Sequence, residues 1–461
     1  MSGSPERVVV IGADAGGMSA ASQAKRMRGD DLEVVALERG SHTSYSACGI
    51  PYWIAGDVAS VDDLVARTAD EHRANGIDLR MRSEALGIDL DRREVEVRDL
   101  GNSAGSSTYR LGFDHLVLAT GARPRRPEIP GVDSDGVFGV QTLDDGERVL
   151  DALERAPRRA VVVGGGYIGI EMAEAMVKRG LSVTVVTRSP EPMATLDPDM
   201  GRQVHDAMEG MGIDVRTSAR IDAVETGADG WLRSVVTDSG EIETDIVVLG
   251  TGVSPETSLA SAAGLPLGRW GGLVTDLQMR VFDTDGVWAA GDCVESIDLV
   301  SGNRVHVALG THANKQGRVL GTNLGGGYAT FPGVVGTAIS KVCDLEIART
   351  GLKERDCDMV GFAYLTVVVE STTRAGYYPG AEPVTVKLVV EQRTGRLLGA
   401  QIVGREGSAK RIDTLAVALW HRMTVEEISA LDLGYAPPFS PVWDPVLIAA
   451  RKAADRVRAG S

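Results

Sequence analysis

The chain has only four cysteines in 461 residues, Cys48, Cys293, Cys343 and Cys357, and they are widely scattered. That spacing excludes a disulfide framework and suits a reducing cytoplasm. No Cys or His pair has zinc-ligand spacing, since His306 and His312 are six apart and share no helix face, so no metal is expected. No apolar run approaches the roughly 18 residues of a membrane helix, and residues 1–7 carry no targeting pattern. Basic residues are in deficit. The net charge of −16 argues against a nucleic-acid surface. What remains is ordinary for a globular protein, 43% hydrophobic and 24% charged, and long enough for two to four domains.

Two segments repeat one design. Residues 7–11 read as a buried parallel strand and run into Gly12-Ala13-Asp14-Ala15-Gly16-Gly17, with a helix expected over 18–27. Gly12 permits a tight turn and Gly17 a close helix–strand approach, while Gly16 opens a helix N-terminus whose free N–H groups suit a pyrophosphate. Asp14 stands where a dinucleotide fingerprint usually has glycine. The strand Leu32–Leu37 ends in Glu38-Arg39, which places an acid to hydrogen-bond a ribose hydroxyl. The second copy is complete: a strand at 159–163, Gly164-Gly165-Gly166-Tyr167-Ile168-Gly169, a helix over 170–179 and a strand at 181–186. That last strand ends in Thr187-Arg188. An acid there would favour NADH, whereas Arg188 favours the 2′-phosphate of NADPH, with NADH as the alternative. Strands ending in Ala119-Thr120-Gly121 and Gly250-Thr251-Gly252 close each unit, and residues 284–292 deliver Gly291-Asp292 to a small-residue turn.

These two fingerprints, the Thr-Gly turns and the Ala-Ala-Gly-Asp segment resemble the pyridine nucleotide–disulfide oxidoreductase family of flavoproteins. The resemblance implies an α/β fold with two nested Rossmann-like domains binding FAD and NAD(P)H, plus an α+β C-terminal dimerisation domain. The boundaries expected are 1–150 and 259–334 for the two parts of the FAD domain, 151–258 for the NAD(P)H domain and 335–461 for dimerisation. It also implies that Glu38 and Asp292 hold the FAD ribose and ribitol chain, that Tyr167 gates the nicotinamide pocket, and that Glu171 lies near the flavin. In the C-terminal part, strands are expected at 359–369 and 384–391 with a turn at Thr394-Gly395, followed by helices at 409–421 and 424–431.

Cys48 sits in Ser44-Tyr45-Ser46-Ala47-Cys48-Gly49-Ile50-Pro51-Tyr52-Trp53. A lone free cysteine is more often core than catalyst. The first nucleotide unit just upstream changes that reading. Ser44, four before, and Trp53, five after, leave no internal redox partner, which resembles the single-cysteine branch of the family. Electrons would then pass to a Cys48 mixed disulfide, sulfenic acid or persulfide. No histidine precedes His42, which lowers a peroxide-reducing role. Gln23 and Arg26 match coenzyme A contacts of coenzyme A disulfide reductases, with Ser44 beside them. Tyr377 in Tyr377-Tyr378-Pro379-Gly380 and Tyr435 in Tyr435-Ala436-Pro437-Pro438 match two tyrosine motifs that reach the neighbouring subunit's cysteine. Ala47 departs from the Asn of those reductases. The family arrangement puts Cys48 near a helix start, whose dipole is expected to lower its pKa.

The expectation is therefore a cytoplasmic homodimeric FAD-dependent NAD(P)H oxidoreductase reducing a small disulfide, with coenzyme A disulfide as the model substrate. The alternatives are an oxidase passing electrons to oxygen or a quinone, a persulfide or polysulfide reductase, and a redox sensor. No appended rhodanese-like domain is expected. Cys343 is read as lying in a strand, Cys357 in a charged loop and Cys293 in the core.

Overall fold

The computed structural model describes residues 5–101 and 107–460. Residues 1–4 of the expected untargeted lead-in lie outside that set.

The first unit is a five-stranded parallel sheet. Its order is Val287–Ala289, His115–Leu118, Glu6–Ile11, Leu32–Leu37 and Asp78–Arg80. Val8, Val9 and Val10 are buried along one strand and Val34, Val35 and Ala36 along the next, as expected where helices or another sheet cover both faces. One cover is the helix Ala15–Arg28, which starts three residues before the expected 18. Gly16 and Gly17 therefore lie in its first turn. A Cβ on Gly17 would stand 1.9 Å from the Gly12 carbonyl oxygen, so the helix can begin that close to the strand only without a side chain.

A second helix, Gly310–Leu324, packs against the first through its own glycines. A Cβ on Gly317 would meet Gly16 O at 2.3 Å, and one on Gly321 would meet Ala20 O at 2.4 Å. The pair is thus closer than ordinary helix packing allows, and the loop at Gly291 is held from the same helix by Gly291 N–H donating to Gln316 Oε1 at 2.8 Å.

The second unit repeats the topology in the order Asp214–Arg216, Ser182–Val186, Arg159–Val163, Ile246–Leu249 and Val137–Gly139, again all parallel. Val137–Gly139 joins this sheet from before the expected boundary at 151. The helix Tyr167–Lys178 starts earlier than the expected 170, for the same reason as above: a Cβ on Gly169 would be 2.0 Å from Gly164 O.

The C-terminal unit is an antiparallel sheet in the order Ala338–Val342, Leu345–Gly351, Leu397–Gly404, Pro383–Glu391 and Tyr364–Thr372. The strand expected from 359 begins at Tyr364. Residues Glu354–Val360 form a helix instead, opened by Asp356 accepting from the Lys353 N–H and closed at Gly361, whose φ of 84° is left-handed. Cys357 therefore lies buried in a helix, not in a loop, and Cys343 lies in the turn after a strand with φ 54°. The expected helix at 409–421 is a 3₁₀ turn, Ala409–Arg411, leading into Ile412–Trp420, and Thr424 caps Val425–Ser429. Pro445–Gly460 is a further helix beyond the sequence expectations, with Val446, Leu447, Ala449, Ala450, Ala453 and Ala454 buried. One hydrophobic cluster joins all three units. It combines Ile50 and Ile54, just after Cys48, with Met172 and Met176 of the second nucleotide helix and Val342, Ile347 and Val403 of the C-terminal sheet.

Alanine at Gly321 would gain about 0.8–1.0 kcal/mol of helix propensity, but it meets backbone that no rotamer can move. We expect Gly321→Ala to lose about 1–3 kcal/mol net and to lower the FAD content of purified protein. Gly310→Ala, at the start of the same helix where a Cβ would meet nothing within 4 Å, should be much milder in thermal denaturation. Equal effects at the two positions would contradict this account.

Candidate functional site

Gly12 has φ 98°, and a Cβ there would stand 2.1 Å from Ala119 O, so the turn nests directly on the loop that carries Thr120 and Gly121. Glu38 braces the turn. Its carboxylate accepts from Ala13 N–H at 3.0 Å and from Gly40 N–H at 2.7 Å, and burial holds it above the usual carboxylate range. Arg39 beside it is exposed.

Asp14, the departure from the fingerprint, precedes the helix but does not cap it. Its Oδ1 accepts from Tyr45 N–H at 3.1 Å instead, while the Thr43 hydroxyl donates to Ala13 O. The segment leading to Cys48 is thus tied to the phosphate turn. The helix N–H groups that Asp14 leaves free are the ones a pyrophosphate would use. Burial, with Glu38 and Asp292 adding to it, pushes Asp14 up to about 6. This tie joins residues 31 apart and was not legible in the sequence, nor was His72, whose Nε2 lies 2.9 Å from Ser44 Oγ.

Cys48 sits in a single 3₁₀ turn, Ala47–Gly49, ahead of the six-residue helix Ile50–Ala55. It is the exposed member of the four cysteines, whereas Cys293 and Cys357 are buried and Cys343 is half-buried. Cys293 packs in the core as expected, with its thiol 3.4 Å from both Leu118 O and Ala290 O. The expectation that a helix dipole lowers the Cys48 pKa is overturned. Burial raises it, and the negative charges of Glu171 and Asp292 raise it further. A helix of six residues has a small dipole, and the partial burial of the thiol, with two nearby acids adding to it, works the other way.

Glu171 and Asp292 reach Cys48 from different domains. Glu171 is on the second fingerprint helix and accepts from Ser340 Oγ at 2.8 Å; burial pushes it up to about 7, with Glu174 adding to the effect. Asp292 follows Gly291, and burial pushes it up to about 6. Its carboxylate accepts no hydrogen bond among the described residues, which suits an acid awaiting ligand hydroxyls.

In the second turn Gly164 has φ 107°, and a Cβ would meet Gly250 O at 2.3 Å. Gly166 precedes the helix as its N-cap, and Tyr167 opens it. The Tyr167 hydroxyl is buried, with Thr195 beside it, and burial raises its phenol pKa. Gly252, φ 84°, accepts from Arg125 N–H at 2.9 Å, and Gly121 accepts from Glu256 N–H at 2.9 Å, so the two closing turns clasp each other. Arg188 is exposed at the end of its strand and makes no hydrogen bond or ion pair among the described residues.

The candidate substrate residues are only partly brought together. Arg26 donates to Gln23 Oε1 at 2.8 Å and Gln23 donates to Thr322 Oγ1 at 3.3 Å. Ser44 is held by His72, and no contact joins it to that pair. Tyr377 and Tyr435 meet each other on the C-terminal domain, 78% and 47% exposed, and the Tyr435 hydroxyl's hydrogen bond to Tyr377 keeps the Tyr435 phenol above its ordinary range.

The residues fit a dinucleotide in each unit. Both turns are cradles a Cβ would fill, an acid closes the second strand of the first, and a free arginine closes that of the second. A family model described as pyridine nucleotide-disulphide oxidoreductase matches residues 6–317, and the dimerisation domain of that family matches residues 337–445. The NAD(P)H coenzyme A polysulfide/persulfide reductase of Pyrococcus horikoshii is 37% identical over 450 residues, covering 97% of this chain and 98% of that protein. The crystal structure of reduced Bacillus anthracis CoADR-RHD superposes with TM-score 0.94 at 33% identity, over 99% of this chain and 81% of that one. An engineered NADPH-bound form of the Lactobacillus brevis water-forming oxidase superposes with TM-score 0.93 at 28% identity, over 98% of this chain and 99% of that one.

Because anions oppose its ionisation, Cys48 in the reduced protein should be alkylated by iodoacetamide at a rate that climbs through the alkaline range. Glu171→Gln removes one of those charges and should shift the rate profile to lower pH. A profile unmoved by that change would show that Glu171 does not act on the thiol.

Proposed function

The chain belongs to the pyridine nucleotide-disulphide oxidoreductase family, and from that membership we propose that it uses FAD and NADPH to reduce a disulfide of the coenzyme A class at Cys48. The observation that carries this is one exposed thiol whose segment hangs from the first phosphate turn through Asp14 and whose following helix packs on the second fingerprint helix, Ile50 and Ile54 sharing a core with Met172 and Met176. A thiol positioned where both dinucleotide domains converge can receive electrons, while the other three cysteines are wholly or partly buried.

FAD held along Gly12–Gly17, Glu38 and Asp292 supplies electron transfer between the nicotinamide and Cys48. Gly12 and Gly17 leave room for its pyrophosphate, and the second turn, with Tyr167, orients the nicotinamide. The Cys48 thiolate attacks one sulfur of the substrate disulfide; the substrate S–S bond breaks, and Cys48 holds the other half as a mixed disulfide. The released thiolate takes a proton from the Tyr435–Tyr377 pair of the partner subunit. Two electrons from NADPH and one proton then free the second thiol and restore the Cys48 thiolate. The net reaction consumes one NADPH and one proton for each disulfide converted to two thiols.

The NADPH preference is supported by Arg188, which has no partner of its own. The engineered NADPH oxidase carries, among its exchanges, an Ala replaced by Arg followed directly by a Met replaced by Ser. This chain has Arg188-Ser189 after its second nucleotide strand. Gln23 and Arg26 support a polyanionic substrate, since their pairing holds a guanidinium at the surface for charge-assisted contact with phosphate. Reduction of a coenzyme A persulfide or polysulfide is the second reading, favoured by the activity for which the 37% identical Pyrococcus horikoshii relative is named.

Steady-state NADPH oxidation against coenzyme A disulfide, coenzyme A persulfide, polysulfide, a quinone and oxygen tests the reading. We expect Cys48→Ser to abolish turnover with the sulfur acceptors while NADPH still bleaches the flavin absorbance. Sulfur-acceptor turnover that survives in Cys48→Ser would sink the proposal in favour of an oxidase. Losing a charge-assisted contact costs about 1.5–3 kcal/mol, so Arg188→Ala should raise the KM for NADPH about tenfold or more and leave that for NADH nearly unchanged.

A further inference from the structure

Lys387 lies on the Pro383–Glu391 strand of the C-terminal sheet, distant in sequence from both fingerprints, with its side chain 3% exposed. Its ammonium contacts Asp199 at 2.7 and 2.8 Å, Glu354 at 2.7 Å and Asp197 at 3.1 Å. Two of these acids, Asp197 and Asp199, belong to the second nucleotide unit. Buried ion pairs of this kind seldom stabilise a fold better than apolar residues of the same size would. What they do impose is a fixed arrangement, because every charge must keep its partners.

The arrangement converges on Asp197. This residue precedes the helix Pro198–Gly210 but gives its side chain nothing to cap. Its Oδ1 accepts from Glu354 N–H at 3.0 Å and its Oδ2 from Gln401 Nε2 at 2.7 Å, while its own N–H donates to Gln401 Oε1 at 2.8 Å. Nearby, Lys353 donates to Ala194 O. The C-terminal domain thus grips one end of the segment 187–197.

The middle of that segment lies on the second phosphate turn. Met193 N–H donates to Gly165 O at 2.6 Å, and Met193 is fully buried with a left-handed φ of 54°. A Cβ on Gly165 would meet Pro192 Cα at 3.1 Å. The other end begins with Thr187 and Arg188. The segment is a strap, pressed on the turn at its middle and tied to another domain at its end.

We propose that Lys387 is a positioning residue for the pyridine nucleotide. Through Asp197 it sets how the 187–197 strap lies against Gly164–Gly169, and so where Arg188 is presented. The inference rests on the second fingerprint being the pyridine nucleotide site, and its Arg188 part rests on the NADPH reading above.

The test is Lys387→Met in the full-length holoprotein, assayed with both nucleotides beside Arg188→Ala. The KM for NADPH should rise about five- to tenfold while kcat at saturating NADPH stays within about twofold. FAD content and the KM of the sulfur acceptor should not move, a split that loss of stability alone would not produce. Unchanged KM values for both nucleotides in FAD-replete Lys387→Met would overturn the proposal. Should that variant fail to yield holoprotein, Gln401→Met removes both Gln401 hydrogen bonds to Asp197 with the ammonium in place, and unchanged nucleotide KM values in it would overturn the proposal equally. If Arg188→Ala has no effect on NADPH, the NADPH reading alone falls. A Lys387→Met rise shared by NADH and NADPH would still support the strap.

Discussion

Much of this molecule hangs on two places where backbone touches backbone because no side chain intervenes. A Cβ on Gly17 would lie 1.9 Å from Gly12 O, and one on Gly169 would lie 2.0 Å from Gly164 O. These contacts aim each helix N-terminus across the end of its sheet, where free N–H groups can meet phosphate. They also bring each turn onto the loop that leaves the neighbouring strand of its sheet, at Ala119 and at Gly250. The loops so placed carry Thr120-Gly121 and Thr251-Gly252, and these clasp each other between the domains. The Cys48 segment in turn hangs from the first turn through Asp14 and Ala13. A change that pushes either helix away therefore moves the nucleotide site and the thiol together.

The electrostatics around the thiol run against a simple activated-cysteine picture. Burial raises Asp14, Asp292 and Glu171 into the range where carboxylates hold protons near neutrality, and the charges of Glu171 and Asp292 then oppose ionisation of Cys48. The thiolate is the form that reacts with oxidants and alkylators. A thiol kept neutral in the resting protein is shielded from side reactions even though it is exposed. Its activation then depends on neutralising the surrounding acids or on bringing a counter-charge to it, and Glu171 is the acid whose protonation near pH 7 can do the former.

The sequence made legible what depends on short-range pattern. Strands buried on both faces read as apolar runs, and glycines required by close approach mark both turns, so the two parallel sheets and their phosphate turns could be read directly. Helix starts were read three residues late because glycines in a first turn look like loop. The helix at Glu354–Val360 was hidden because its charged residues resemble a loop and only Lys353, Asp356 and Gly361 mark its ends. Contacts across long separations left no local mark at all. Asp14 reaches Tyr45 across 31 residues, and Ser340 reaches Glu171 across 169. Ser44 was expected to hold substrate with Gln23 and Arg26, and its hydroxyl meets His72, 28 residues on, a partner with no mark in the sequence.

The C-terminal domain joins these parts by having two differently used faces. Its inner side supplies Val342, Ile347 and Val403 to the core that also holds Ile50, Ile54 and Met172, so the helix after Cys48 and the second nucleotide helix share one packed interior with it. Its outer side leaves Tyr377 at 78%, Phe439 at 77%, Val442 at 66% and Trp443 at 52% exposed. An apolar surface of that kind is costly in water and marks a place for a partner, and the dimerisation-domain match spans residues 337–445. A second copy covering that face would bear on the same sheet that grips Asp197 and packs behind Cys48. Because packed interiors shift as units rather than deform smoothly, association at the outer face and geometry at the thiol become one mechanical problem.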